Sequence, residues 1–259
     1  MTKLNANLTM LYQEVDFMER FAKAAAAGFK GVEYLFPYPF EKEALAEQLQ
    51  KHNLEQVLHN LPAGDFANGE RGIAVMPDRV GEFQEGVGKA IEYAKALGCK
   101  MLNCLVGITP AGVDAGTVQK TLVDNLSFAA KALDAEGIRL LVEPLNSQDV
   151  AGFHLVHTKD ALNLFDAVGH SNVWLQYDIY HMQIMEGNLA RTMKDNLGRI
   201  AHMQLADNPG RHEPGTGEIN YPVLFRLIDE MGYKGWIGLE YVPAGETDAG
   251  MAWAAPYLK

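Results

Sequence analysis

Four oxygen-bearing side chains, Glu143, Asp178, Gln204 and Glu240, each close a short apolar run. Each stands roughly one strand-plus-helix length from the next. Oxygen donors delivered from neighbouring strands suit a hard divalent cation. Mg2+ or Mn2+ fits, because no cysteine accompanies the set and histidine does not dominate it. Without a cation, three clustered carboxylates would repel one another and some would take up protons. A single glutamate at a strand end is usually a helix cap or half of a surface ion pair. Four oxygen donors on consecutive strands are harder to explain that way. Side-chain alternation pairs Leu141 with Glu143, Gln176 with Asp178, His202 with Gln204 and Gly238 with Glu240 on common faces. Gly238 is expected to leave room beneath Glu240.

The elements that must position these residues follow one another in a regular order. Strands are expected over Leu4–Met10, Gly31–Phe36, Gln56–Asn60, Lys100–Val106, Ile138–Glu143, Val173–Asp178, Ile200–Leu205 and Trp236–Glu240. Leu140, Leu141 and Val142 run consecutively, as in a strand covered on both faces, and Pro144 then removes a ladder donor. Between the strands, helical patterns occupy Lys42–His52, Val80–Leu97, Ala115–Ala135, Lys159–Val168, Leu189–Asn196 and Pro222–Met231. A further helix begins at Asp16, a candidate N-cap, carries Phe17, Phe21 and Ala24 on one face and stops at Gly28. The tail Asp248–Leu258 is expected to be helical, and Pro62–Pro77 forms a long Gly-rich loop.

About eight strand–helix units in one chain predict an α/β protein, a single parallel (β/α)8 barrel spanning residues 1–259. A doubly wound open sheet would show a Gly-rich phosphate loop after the first strand, and Asn7–Tyr12 has none. In a barrel of this kind the chemistry lies at the C-terminal strand ends. The last polar residues there are Asn7, Glu33, His59, Asn103, Glu143, Asp178, Gln204 and Glu240.

Composition narrows the function classes. The chain has 259 residues, 48% hydrophobic and 21% charged, as in ordinary globular proteins. A net charge of −11 with no Lys/Arg-rich segment disfavours nucleic acid as a partner. No apolar run reaches the roughly 18 residues of a membrane helix, and Met1–Asn7 lacks the apolar core of a signal peptide. Cys99 and Cys104 lie in apolar stretches and read as reduced core residues, so a cytoplasmic location is expected.

The chain resembles the hydroxypyruvate isomerase family, within the xylose-isomerase-like barrels that also include ketose 3-epimerases and an endonuclease branch. The resemblance runs from Leu4 to the C-terminus. It is carried by the segments 5–10 (NANLTM), 58–65 (LHNLPAGD), 69–73 (GERGI), 103–107 (NCLVG) and 142–144 (VEP). Further matches are 176–182 (QYDIYHM), 206–211 (ADNPGR), 213–221 (EPGTGEINY) and Glu240–Tyr241. It implies Glu143 and Glu240 as an acid/base pair and Glu143, Asp178, Gln204 and Glu240 as metal ligands. Epimerase relatives often carry His at the strand-seven position, and Gln204 keeps the set harder. A sister group acting on 2-oxo-tetronate shares most of these segments. A role in glyoxylate metabolism is a further implication of the resemblance.

The implied reaction turns hydroxypyruvate into tartronate semialdehyde. A proton leaves the hydroxymethyl carbon, and the enediolate is reprotonated on the former carbonyl carbon, with one carboxylate as base and the other as acid. Three carboxylates and a divalent ion leave one negative charge, and the substrate carboxylate adds another. A cation must therefore face the pocket. Arg211, beyond strand seven, and Arg71, in the loop after strand three, are the candidates, since a guanidinium fork suits a carboxylate. A surface pair with Glu70 is the competing role for Arg71. His181, three residues after Asp178, and His59, ending strand three, are candidate substrate contacts. The turn Gly215–Glu218 lacks the lysine of a nucleotide loop and reads as a tight turn at the pocket rim. The expected partner is a small 2-oxo or hydroxy acid, and a homo-oligomer is compatible with this reading.

Overall fold

The computed structural model describes residues 2–258; of the expected domain, Met1 and Lys259 lie outside the described residues. Eight parallel strands close into a barrel in chain order: β1 (Lys3–Asn7), β2 (Gly31–Glu33), β3 (Glu55–Asn60), β4 (Met101–Cys104), β5 (Arg139–Val142), β6 (Val173–Asp178), β7 (Ile200–Leu205) and β8 (Trp236–Leu239). Closure is made by β1 on β8, where Leu4 pairs with Ile237 and Ala6 with Leu239. The helices α1 (Phe17–Ala26), α2 (Lys42–His52), α3 (Val80–Leu97), α4 (Ala115–Asp134), α5 (Thr158–Val168), α6 (Ile179–Met185), α7 (Leu189–Asn196) and α8 (Tyr221–Met231) cover the outside.

Apolar residues that alternate outward on the strands meet the apolar stripes of these helices. Leu102, Leu140, Val142 and Met203 are fully buried there, together with Leu122, Leu126 and Leu133 of α4. Both cysteines are buried free thiols in this layer. The upper barrel interior is polar instead. Asn5, Asn7, Glu33, Asn60, Asn103, Gln176, His202 and Gln204 are all buried. Barrels usually fill that space with branched aliphatic side chains, so the departure marks the working end.

Three expectations change in detail. β1 stops at Asn7 rather than Met10, because the chain turns at once: Met10 and Leu11 N–H both donate to the Asn7 carbonyl. The tail is a 3-10 helix over Ala249–Tyr257. The short helix α6 was not expected as a separate element. It starts at Asp178, whose carboxylate accepts from the Tyr180 and His181 N–H groups as an N-cap.

Candidate active site

The carboxylates converge above the barrel floor. Glu143 follows β5, Asp178 ends β6 and Glu240 follows β8, so strand register alone brings them together. Asp178 pairs with Gln204 across β6–β7, and Gln204 with Gly238 across β7–β8. A cavity of about 90 Å3 opens over them. Its polar wall is Asn60, Arg71, Glu143, His181, Arg211 and Glu240, and its apolar wall includes Met10, Leu35, Phe66, Leu105 and Leu145. Asp178 and Gln204 lie enclosed nearby, 0% and 1% exposed.

Few charges balance this cluster. Burial, then Glu240 and Asp178, push the Glu143 carboxyl well above its usual range against the pull of Arg211. Burial raises Glu240 to about 8, with Arg211 opposing and Asp178 and Glu33 adding to the rise. Asp178 is raised by burial to about 6, opposed by Arg211 and by its two helix N–H donors.

Two buried carboxylate oxygens have no hydrogen-bond partner among the described residues: Glu143 Oε1 and Asp178 Oδ2. Orphaned buried acceptors of this kind are rare without a function. Glu143, Asp178 and His181 offer atoms lying within 4.8 Å of one another. The two orphaned carboxylate oxygens fit a hard divalent cation, whereas Glu240 lies outside this group, its Oε1 taken by Arg211 and its Oε2 by Asn7 and Gln204. His181 fits less well as a ligand. Its Nδ1 accepts from the Asn146 backbone N–H at 3.1 Å, and burial, then Arg211, keep the ring neutral. The ring hydrogen therefore sits on Nε2, 3.9 Å from Asp178 Oδ2. That makes His181 a hydrogen-bond donor to the site. Gln204 turns its Nε2 to Glu240 Oε2 (2.5 Å) and its Oε1 to Gln176 (2.6 Å), which also donates to Glu143.

Both candidate arginines line the cavity. Arg211 donates to Glu240 Oε1 at 3.0 Å and lies 3.6 Å from Asp149. It holds a left-handed backbone, φ 54°. The loop that carries it winds around Asp207, whose carboxylate accepts from the N–H groups of Asn208, Gly215, Gly217 and Ile219. The Gly215–Glu218 turn therefore surrounds a carboxylate of the chain itself. Arg71 stacks on Phe66 at 4.0 Å and donates to the carbonyls of Phe66 and Glu70. The Glu70 carboxylate is taken by Arg79 instead, which removes the surface pair as Arg71's role. Gly72 fixes the loop: at φ 110°, an added Cβ would lie 1.8 Å from the Leu105 carbonyl oxygen.

His59 is a correction. It does not line the cavity. Strand alternation turns it outward, against the edge of the Tyr38 ring at 6.1 Å, and burial lowers its ring to about 3. The neighbouring Asn60 points inward and accepts from Asn103, which also donates to Glu143. The alternation rule could have found Asn60, since Leu58 and Asn60 share a face. Asn146 and Asp149, which hold His181 and face Arg211, carried no sequence signal beyond their place in the loop after β5. Gly238 is a second correction. A Cβ there would lie 2.3 Å from Glu33 Oε1, so the missing side chain makes room for Glu33 rather than for Glu240.

The profile of the xylose isomerase-like TIM barrel family matches residues 21–257. The chain is 54% identical over 257 residues to the hydroxypyruvate isomerase of Escherichia coli (strain K12), covering 99% of this chain and 100% of that protein. It is 43% identical over 258 residues to a 2-oxo-tetronate isomerase of Cupriavidus necator, covering 100% and 99%. Among solved structures it is similar to an AP endonuclease, family 2, from Brucella melitensis, with TM-score 0.97, 47% identity and 99% of both chains covered.

Proposed function

From the premise that the chain belongs to the xylose isomerase-like TIM barrel family, and within it to the hydroxypyruvate isomerases, we propose that Glu143 and Glu240 interconvert hydroxypyruvate and tartronate semialdehyde (2-hydroxy-3-oxopropanoate) by proton transfer. The chain is an isomerase. The observation that carries the mechanism is the pairing of two buried glutamates, one after β5 and one after β8, in the wall of one small cavity that two arginines share.

The substrate carboxylate is taken by Arg71, whose guanidinium stands at the cavity wall in a fixed pose. Arg211 lies against Glu240 and favours its ionised form, so Glu240 can act as base while Glu143 holds a proton. One glutamate removes a proton from the hydroxymethyl carbon, the other delivers one to the former carbonyl carbon, and the hydroxyl proton passes from the hydroxymethyl oxygen to the former carbonyl oxygen, which leaves an aldehyde and a secondary alcohol. The roles exchange in the reverse direction. The His181 Nε2–H donates to a substrate oxygen as negative charge builds on the enediolate. Glu143, Asp178, Gln204 and Glu240 would hold a divalent ion, Mg2+ or Mn2+, which would supply Lewis-acid stabilisation of that charge.

The four-carbon 2-oxo-tetronate is the second reading, favoured by the Cupriavidus necator relative. A duplex substrate fits neither the net charge of −11 nor a 90 Å3 cavity. The test is turnover of purified protein with hydroxypyruvate, followed through a coupled reductase, with and without chelator and with 2-oxo-tetronate alongside. Preferred turnover of hydroxypyruvate, lost on chelation, is expected. Turnover of the four-carbon acid alone moves the chain to the second reading. Turnover that survives thorough chelation removes the ion from the mechanism.

A further inference from the structure

Beneath the catalytic pair lies a carboxylate that the mechanism does not use. Glu33, on β2, is 1% exposed, and its two oxygens receive four donors. Asn5 Nδ2 (2.8 Å) and His202 Nε2 (2.8 Å) meet Oε2, while Asn7 Nδ2 (3.1 Å) and Gln204 Nε2 (2.7 Å) meet Oε1. The same two amide nitrogens also reach Glu240 Oε2, at 3.1 Å from Asn7 and 2.5 Å from Gln204. Each amide NH2 has two hydrogens. One goes to Glu33 and the other to Glu240. The carboxylate fills the space that the missing side chain of Gly238 leaves on β8.

We propose that Glu33 is a positioning residue for the isomerisation: through Asn7 and Gln204 it fixes the orientation of the Glu240 carboxylate. An amide can point its oxygen or its nitrogen at a neighbour, and the two choices have the same shape. The Thr9 N–H on Asn7 Oδ1 and Gln176 on Gln204 Oε1 turn both NH2 groups towards the carboxylates, and Glu33, as an all-acceptor group, takes one hydrogen of each, so that each amide spans the two. The anchors Asn5 and His202 hold Glu33 from its other oxygen. The bridges occupy Glu240 Oε2, while Oε1 meets Arg211, a residue of the cavity wall. The same constraint turns Gln204 Oε1 away from both carboxylates and towards Gln176, on the Glu143 side. Glu33 thus sets which atom of Gln204 is available to a cation.

A neutral amide in place of Glu33 offers one acceptor to four donors, and at least one of the bridges must break. The test compares Glu33→Gln and Asn7→Ala with the parent. It measures kcat and KM for hydroxypyruvate, and the Kd of Mn2+ by calorimetry without substrate, with near-UV circular dichroism as the folding control. Misorientation of a reacting group by about 1 Å costs about 100-fold in rate. Glu33→Gln is expected to lose about that factor in kcat, with KM within threefold of the parent and a weakened Mn2+ Kd. Asn7→Ala, which cuts one bridge and leaves the Glu33–His202 pair intact, is expected to lose about tenfold in kcat. A folded Glu33→Gln protein with kcat and Mn2+ affinity within threefold of the parent overturns the proposal. If Glu33→Gln does not fold, Asn7→Ala decides alone, and parental kcat there overturns it. The kinetic arm rests on the isomerase reading, but the Mn2+ arm does not. A parent chain that binds Mn2+ without turning over hydroxypyruvate sinks that reading and leaves this one to the metal titration. A parent that does neither removes the Glu240 function that Glu33 is said to serve, and overturns both.

Discussion

Removing the divalent ion should make stability fall as pH rises, and the size of the effect follows from the carboxylate cluster. Without an ion, Glu240 titrates at about 8, Glu143 well above its usual range and Asp178 at about 6. In the unfolded chain all three are ionised above about pH 5. Through these three groups the folded protein binds more protons than the unfolded chain between about pH 5 and 8, so their contribution to stability is greatest at the acid end and drains away through that window, while the buried His59 and His181, held neutral, oppose it below about pH 6.5. Over the full span from 4.5 to about 8, Glu240 alone accounts for about 5 kcal/mol. Between pH 6 and 8, Glu240 loses about 2 kcal/mol, or about 5 °C in Tm for a chain of this size, and Glu143 adds to the loss in the same direction. An ion that binds the ionised carboxylates must displace these protons. Its binding at pH 7 should release about one proton from Glu240, and with it any that Glu143 holds. The assay is scanning calorimetry of chelated and Mn2+-saturated protein at pH 6, 7 and 8, with Mn2+ titrations in two buffers of different ionisation enthalpy. The Mn2+-loaded sample cancels every other titrating group. A stability difference between Mn2+-loaded and chelated protein that is the same at pH 8 as at pH 6, or Mn2+ uptake without proton release, would contradict this.

Three further outcomes are expected. Glu143→Gln and Glu240→Gln should each reduce kcat by about 100- to 10,000-fold while leaving bound substrate detectable by calorimetry, and a kcat within tenfold of the parent would remove that residue from the proton path. Arg71→Ala loses a charge-assisted contact worth about 1.5–3 kcal/mol, so KM for hydroxypyruvate should rise at least about tenfold, and an unchanged KM would take Arg71 out of carboxylate recognition. Phe66 separates the 90 Å3 cavity from a neighbouring groove of about 560 Å3 that it also lines with Phe36 and Tyr38. Phe66→Ala should therefore raise kcat/KM for the four-carbon acid relative to hydroxypyruvate by about tenfold, the scale of one methylene in a pocket, and an unchanged ratio would place the length-limiting wall elsewhere.

The barrel was legible in the chain because period-two and helical patterns alternate cleanly and the strand ends carry polar residues. Glu143, Asp178, Gln204 and Glu240 could be found by that rule alone, since consecutive strands of a barrel must bring their ends together. The rule misled at β3, where two polar residues, His59 and Asn60, end the same strand and face opposite ways. Histidine drew attention by its chemistry, and alternation favoured asparagine. Glu33 was visible as a strand-end acid, but its position as a buried support beneath Glu240 was not. That depends on Gly238, from the far end of the chain, leaving a space that only the closed barrel reveals. The tautomer of His181 was equally hidden, because the Asn146 backbone that fixes it belongs to a loop with no periodic pattern. The short helix α6 escaped notice because its seven residues give fewer than two full turns of pattern.

Proton transfer by way of Glu143 and Glu240 leaves an isotopic signature when the isomerisation is carried out in D2O. Hydroxypyruvate is converted in D2O, the product is trapped by immediate reduction, and deuterium at each carbon is read by proton NMR. One glutamate removes protium and a different one delivers the replacement, so solvent deuterium should occupy the former carbonyl carbon of the product. Protium carried intact from one carbon to the other, with no solvent deuterium at that position, would indicate a hydride shift and contradict the account.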